Sequence, residues 1–175
     1  MASNAPDTSS PRPSWFQTIT VGRSPRYTLI RILVLVILCA IIFRVILLPI
    51  RVTGISMSPT YPDRSINVVN RFAYSFHEPR RGDVVDIRMA GDHRTYMKRI
   101  IGLPGETVAF VHGQVIINGD PLPEPYEKSP CDWDVPSVQL GPDEYYVVGD
   151  NRTMPAADHY FGEVSRDRII GRVLL

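Results

Sequence analysis

The chain has 175 residues, is 44% hydrophobic and carries a formal net charge of +1. A charge this close to zero excludes a nucleic-acid binder that works through a broad basic face. Two cysteines, Cys39 and Cys131, exclude a disulfide framework. Neither has the spacing of a metal site, and no His-Glu-x-x-His pattern occurs, so neither a metal nor a cofactor is expected.

Met1 to Tyr27 is rich in Ser, Pro, Asn and Thr and has no apolar period. It reads as a disordered, solvated tail. Leu29 to Leu48 then holds sixteen Leu, Ile, Val or Phe in twenty residues, broken by Arg31 and Arg44. Those sixteen contribute about −5 to −10 kcal/mol to membrane insertion. The two arginines cost about 5 to 7 kcal/mol if central, and less near the ends, where they snorkel. The length suits a bilayer core, and no Ala-x-Ala cleavage site follows, so residues 28–48 are predicted as a retained transmembrane helix. Arg23, Arg26 and Arg31 flank or open the span. They place the N-terminus in the cytoplasm and the larger C-terminal part outside, at the cytoplasmic membrane.

From Pro49 to Leu175 the chain is long enough for one compact domain. Short β-type runs follow at Asn67–Val69 and Asp83–Arg88. Thr107–Val111 and Gln114–Ile117 flank His112-Gly113 and predict a hairpin. Asn118-Gly119-Asp120-Pro121 is a second turn. Leu122 to Val138 is Pro-rich and reads as irregular. Glu144–Val148 and Arg168–Leu175 are further strands. No long helical period appears after the apolar run. The prediction is a mainly β, antiparallel outer domain behind one transmembrane helix, with residues 107–148 as a small accessory β region.

Gly54-Ile55-Ser56-Met57-Ser58-Pro59-Thr60 lies just beyond the span. Each of these residue types favours turns, and an ordinary turn is one reading. The other is a reactive hydroxyl held just outside a membrane. None of His77, His93, His112 and His159 has the local setting of a Ser-His-Asp site, so a serine nucleophile here needs another base. Lysine is the usual alternative, and burial among apolar groups lowers its pKa toward neutrality. The chain has only two lysines, Lys98 and Lys128. Lys128 sits beside Glu127 in the Pro-rich loop and reads as solvated. Lys98 lies in a strand-like run and shares a face with Tyr96 and Ile100. Gly149-Asp150-Asn151-Arg152 follows the Tyr-Tyr-Val-Val strand as a turn whose Asp and Asn can bond backbone groups.

These stretches together resemble the type I signal peptidases. Ser56-Met57-Ser58-Pro59-Thr60 matches their Ser-Met-x-Pro-Thr box. Arg81-Gly82-Asp83-Val84-Val85 matches their Arg-Gly-Asp box. Lys98 to Glu106 matches the lysine box, and Gly149-Asp150-Asn151-Arg152 with Phe161-Gly162 matches the last. The resemblance covers about Val52 to Val173, in order and spacing. It implies a membrane-bound serine endopeptidase in which Ser56 is the nucleophile and Lys98 the general base, acting through an acyl-enzyme. It implies pre-protein signal peptides as partners, with small residues at −1 and −3. It implies a shallow pocket formed by Val52, Gly54, Met57, Tyr96 and Met97. Asp150, Asn151, Arg152 and Asp158 are the expected supporting residues. The Ser56 N–H is the expected oxyanion donor; the side-chain donor that some members carry two residues earlier is here Gly54.

The last box departs from the family. Pro155 stands where a lysine-orienting serine is usual, Ala157 stands for an aspartate, and Asp158 is one place late. We expect Asp158 to substitute structurally. A specialised relative, of conjugation or organellar inner-membrane type, and a catalytically silent peptide binder stay open as alternatives.

Overall fold

The computed structural model describes residues 25–89, 91, 94–126 and 131–174. The tail up to residue 24, His93 and Lys128 lie outside them. The chain divides into two units, 1–42 and 43–175.

In the first unit, helix α1 spans Pro25–Ile41. It opens inside the stretch predicted as tail. Proline is tolerated there because the first N–H groups of a helix have no intrahelical partner in any case. A π-helical turn follows at Ile42–Ile46. Together Arg26–Ile46 form 21 residues with a mean hydropathy of 2.9, long and apolar enough to cross a membrane. Most of their large apolar side chains are exposed, as a lipid-facing helix requires.

The predicted span runs two residues too far. Leu47 and Leu48 open strand β1, Leu47–Arg51, which pairs antiparallel with β2, Ile66–Asn70. Pro49 decides the matter. It breaks a helix interior, yet it is tolerated on an edge strand, and β1 is the edge of its sheet.

The second unit is built from antiparallel sheets, as predicted. The larger has seven strands in the order β1-β2-β11-β3-β4-β9-β10. Its other members are β3 Val84–Arg88, β4 Thr95–Gly102, β9 Glu144–Val148, β10 Gly162–Ser165 and β11 Ile169–Leu174. The smaller has four, in the order β7-β6-β5-β8: β5 Thr107–Val111, β6 Gln114–Ile117, β7 Asp120–Pro121 and β8 Val135–Gln139. The two turns predicted around β6 form. His112 and Gly113 have φ of 47° and 81°, and Asn118 and Gly119 have 54° and 94°. Paired positive φ values match the twist of a tight hairpin. Besides β1, three strands went unpredicted: β7 lies in the stretch read as a turn, and β8 and β10 were also missed. β8 lies in the stretch read as irregular, and it pairs β5 across a register shift. β10 is only four residues long.

Three apolar clusters fill the domain. Phe110, Val115, Trp133 and Tyr146 join the small sheet to β9, with Phe161 stacked on Trp133 at 5.2 Å. Val85, Ile87, Ile100 and Val147 line one face of the central strands. Val52, Met57, Val69, Met97 and Val173 form the third, beneath the loop that carries Ser56. Each fully buried aliphatic or aromatic side chain contributes roughly 1.5 to 3 kcal/mol relative to exposure.

Candidate active site

Ser56 sits half-buried on the loop between β1 and β2. Gly54 opens this loop at a φ of 102°, which disfavours any residue with a side chain, and its N–H donates to Asp63 Oδ1 at 2.8 Å. The next residue inward, Met57, is 1% exposed and packs with Val52 and Met97. An anchor of this kind below a hydroxyl restricts the loop to one position.

A second anchor comes from the turn after β9. The Asn151 N–H donates to the Ser56 carbonyl oxygen at 3.0 Å, and Asn151 Nδ2 donates to the Ile55 carbonyl oxygen at 3.0 Å. Asn151 Oδ1 in turn accepts from the Thr153 hydroxyl at 2.6 Å, which fixes the amide orientation. Gly149 makes this approach feasible. A Cβ at that position would overlap both the Ser56 carbonyl oxygen and the His159 ring.

Lys98 is 2% exposed at the centre of β4, opposite Val85 on β3. Its face of the strand carries Ile100, within the cluster of Val85, Ile87 and Val147. Burial pushes its ammonium down to about 8, while the negative charge of Asp150 pulls the other way. Asp150 is itself committed. It takes a bidentate pair from Arg99, with Nε at 2.7 Å and Nη2 at 2.6 Å, while the Arg99 guanidinium lies 4.2 Å from the Tyr126 ring centroid. Arg152, also buried, donates to the Gly149 carbonyl oxygen at 2.8 Å and pairs with Glu124 at 2.5 Å. Two buried arginine–carboxylate pairs thus hold the turn, each with its hydrogen bonds made.

The Arg-Gly-Asp stretch plays a comparable part at the other end of β4. Arg81 pairs with Glu106 at 2.5 Å and donates to the Ile101 carbonyl oxygen. Asp83 accepts from the Tyr74 hydroxyl at 3.1 Å and pairs with Arg172 of β11 at 3.3 Å.

Beside Ser56 lies a pocket of about 100 Å³. All five residues expected to form it line it: Val52, Gly54 and Met57 from one side, Tyr96 and Met97 from the other. Asp158 stands apart from this geometry. It is exposed, at the end of a short 3-10 turn, Ala156–Asp158.

Two residues in this region escaped sequence reasoning. Asp86 lines the pocket and is 1% exposed. Burial pushes its carboxyl up to about 6, against hydrogen bonds from the Thr95 side chain and the Ile87 backbone. Its signal was a polar residue inside the run Val84-Val85-Asp86-Ile87. His159 is 6% exposed and lies 5.0 Å from the Trp133 ring centroid. Burial, then the positive charges of Lys98 and Arg152, pull it down to about 4, so it is neutral near pH 7. Its neighbour Asp158 drew the attention in the sequence, and nothing local marked the histidine as the buried member of the pair.

A mainly antiparallel β domain behind one apolar helix, with a clamped serine loop, a buried lysine and a narrow pocket, narrows the class of protein considerably. The sequence model of the family described as "Signal peptidase, peptidase S26" matches residues 26–175, and the chain belongs to that family. It is 38% identical over 128 residues to a protein named signal peptidase I from Leptolyngbya laminosa, covering 69% of this chain and 63% of that protein. It is 32% identical to signal peptidase I V of Bacillus subtilis, covering 69% and 80% respectively. To signal peptidase I U of the same organism it is 30% identical, covering 89% and 90%. The matched part thus spans 63% of the Leptolyngbya protein and 58% of a probable signal peptidase I-2 from Synechocystis. A solved signal peptidase I from Enterococcus faecalis aligns over 55% of this chain and 97% of its own, with 27% identity and a TM-score of 0.47.

Proposed function

We propose that this protein is a membrane-anchored serine endopeptidase that removes signal peptides from exported pre-proteins. Ser56 Oγ attacks the scissile carbonyl carbon while Lys98 Nζ takes the hydroxyl proton. The Ser56 N–H stabilises the oxyanion. Collapse of the tetrahedral intermediate releases the amine, which receives the proton, and leaves an acyl-enzyme on Ser56. Lys98 then deprotonates a water that hydrolyses the ester.

The observation that carries this reading is Lys98. A lysine at the centre of a sheet serves no purpose in packing that an apolar residue would not serve better. Burial brings its ammonium down to about 8, where a large enough neutral fraction exists at working pH to act as a base. The pocket supports the substrate class. Its small volume beside Ser56 selects by excluding bulk, which suits small residues at −1 and −3. The apolar segment Arg26–Ile46 fits the anchor, with the N-terminus cytoplasmic and the catalytic domain on the outer face.

The test is cleavage of a pre-protein with an Ala-x-Ala site by the full chain in detergent. We expect the wild type to cut after the small residue. Ser56→Ala and Lys98→Ala should lose about a thousandfold or more while keeping the wild-type melting transition. Wild-type inactivity with retained peptide binding overturns the enzyme reading in favour of a silent binder.

A further inference from the structure

The pocket beside Ser56 is bounded by the extended stretch after β1 and by the start of β4, and Asp86 is one of its lining residues. Asp86 stands opposite Met97 in the β3–β4 register, so both project to the same side of the sheet. Apolar groups dominate this side, where Val52, Met57 and Met97 share one cluster. The Asp86 carboxyl is engaged only in part. The Thr95 side chain and the Ile87 N–H bond to it. Its Oδ2 is buried and has no hydrogen-bond partner among the described residues.

A buried carboxylate oxygen without a donor is costly, and folded proteins leave few of them. Packing alone would favour an apolar residue here, as in the flanking Val84, Val85 and Ile87. A donor supplied by a ligand in the pocket removes the penalty only while the ligand is bound. That is how a site discriminates between side chains of equal size, because the poorer ligand leaves the oxygen unpaired.

The chemistry of that donor is constrained. Val52, Met57 and Met97 line the pocket with apolar surface, which leaves a charged side chain without its hydration there. Arg51 also lines the pocket, and its positive charge opposes an incoming ammonium or guanidinium. A hydroxyl is small, neutral and a donor.

We propose that Asp86 is a specificity-determining residue that makes this pocket prefer a hydroxyl-bearing side chain, serine or threonine, at position −1 or −3 of the substrate. In an extended chain these two positions share a face, so both can be presented to one pocket wall. This inference rests on the signal-peptidase reading and narrows its substrate class from small residues to small hydroxyl residues.

The test uses the full chain in detergent with matched pre-proteins. At −3 they carry threonine or valine, which differ by a hydroxyl in place of a methyl. At −1 they carry serine or alanine. The measured quantity is the ratio of kcat/KM within each pair. The wild type should favour the hydroxyl by about tenfold or more at one of the two positions, the scale of one hydrogen bond to a charged group. Asp86→Val should abolish or reverse that ratio, and Asp86→Asn should reduce it. Because Asn has almost the shape of Asp, it preserves the test if Asp86→Val does not fold. Wild-type ratios near one in both pairs, or an unchanged ratio in Asp86→Asn, overturn the inference while leaving the peptidase reading intact. A wild type that cleaves none of the four overturns both.

Discussion

Lys98 is held between opposing influences, and the balance is adjustable. Burial disfavours its charge, and Asp150 favours it. Activity that depends on neutral Lys98 should rise with pH through an acid limb near 8. Removing the Asp150 charge takes away the group that pulls the lysine upward. Asp150→Asn should therefore move the limb to lower pH, measured as kcat/KM against pH. The same change leaves buried Arg99 without its counter-charge and should destabilise the fold by about 3 kcal/mol, read by denaturant unfolding. A limb that stays in place would mean that Asp150 does not reach the base. At this scale the sequence was legible where chemistry leaves a pattern. Ser56 and Lys98 stood out because a loop hydroxyl and a lysine among apolar residues are each unusual. Asp86 and His159 did not, because their meaning comes from what surrounds them in space. His159 lies beside Gly149, ten positions away in the chain, and Asp86 faces a pocket built from three separate segments.

Among the elements, the turn after β9 does the most for the site. It turns its backbone and Asn151 toward the Ser56 loop, and its two flanking residues into buried ion pairs. Asn151→Asp places an acceptor where Nδ2 now donates to the Ile55 carbonyl oxygen. Two acceptors facing each other repel, so the loop should loosen. We expect kcat/KM to fall about tenfold, the scale of one lost hydrogen bond, with little change in melting temperature because the site is exposed. A wild-type rate would show that the backbone bond alone suffices. The strands themselves were readable wherever turn chemistry punctuated them, as at His112-Gly113. β1 was hidden because Leu47 and Leu48 prolong an apolar run whose composition suits a helix and a buried strand equally. β8 was hidden because Pro136 and the polar Ser137 and Gln139 weaken its pattern, and it acquires strand geometry by pairing with β5.

Across the whole domain, two buried groups respond to acid in opposite senses. His159 is held down to about 4, so the unfolded chain takes its proton first. Its contribution to stability is present above about 6.5 and is lost as pH falls toward 4. Asp86 is raised to about 6, so the folded chain takes its proton first, and stability is regained as pH falls from 6 toward the ordinary carboxylate value. Each effect is worth about 3 kcal/mol at most, at 1.36 kcal/mol per pKa unit. They largely cancel in the wild type between pH 4 and 6. His159→Gln should expose the Asp86 response, so its melting temperature relative to wild type should rise on acidification from pH 7 to 5. A constant difference between the two proteins would contradict this. The clamp on the serine loop has a further consequence, in the order of synthesis. Ile55 and Asn151 are 96 positions apart in the chain. A ribosome delivers Ser56 early and its Asn151 restraint late. Until the turn after β9 has emerged and docked, the Ser56 loop lacks both of its bonds to Asn151. On the proposed function, the chain therefore cuts slowly while nascent and reaches full activity only when nearly all of it is in place.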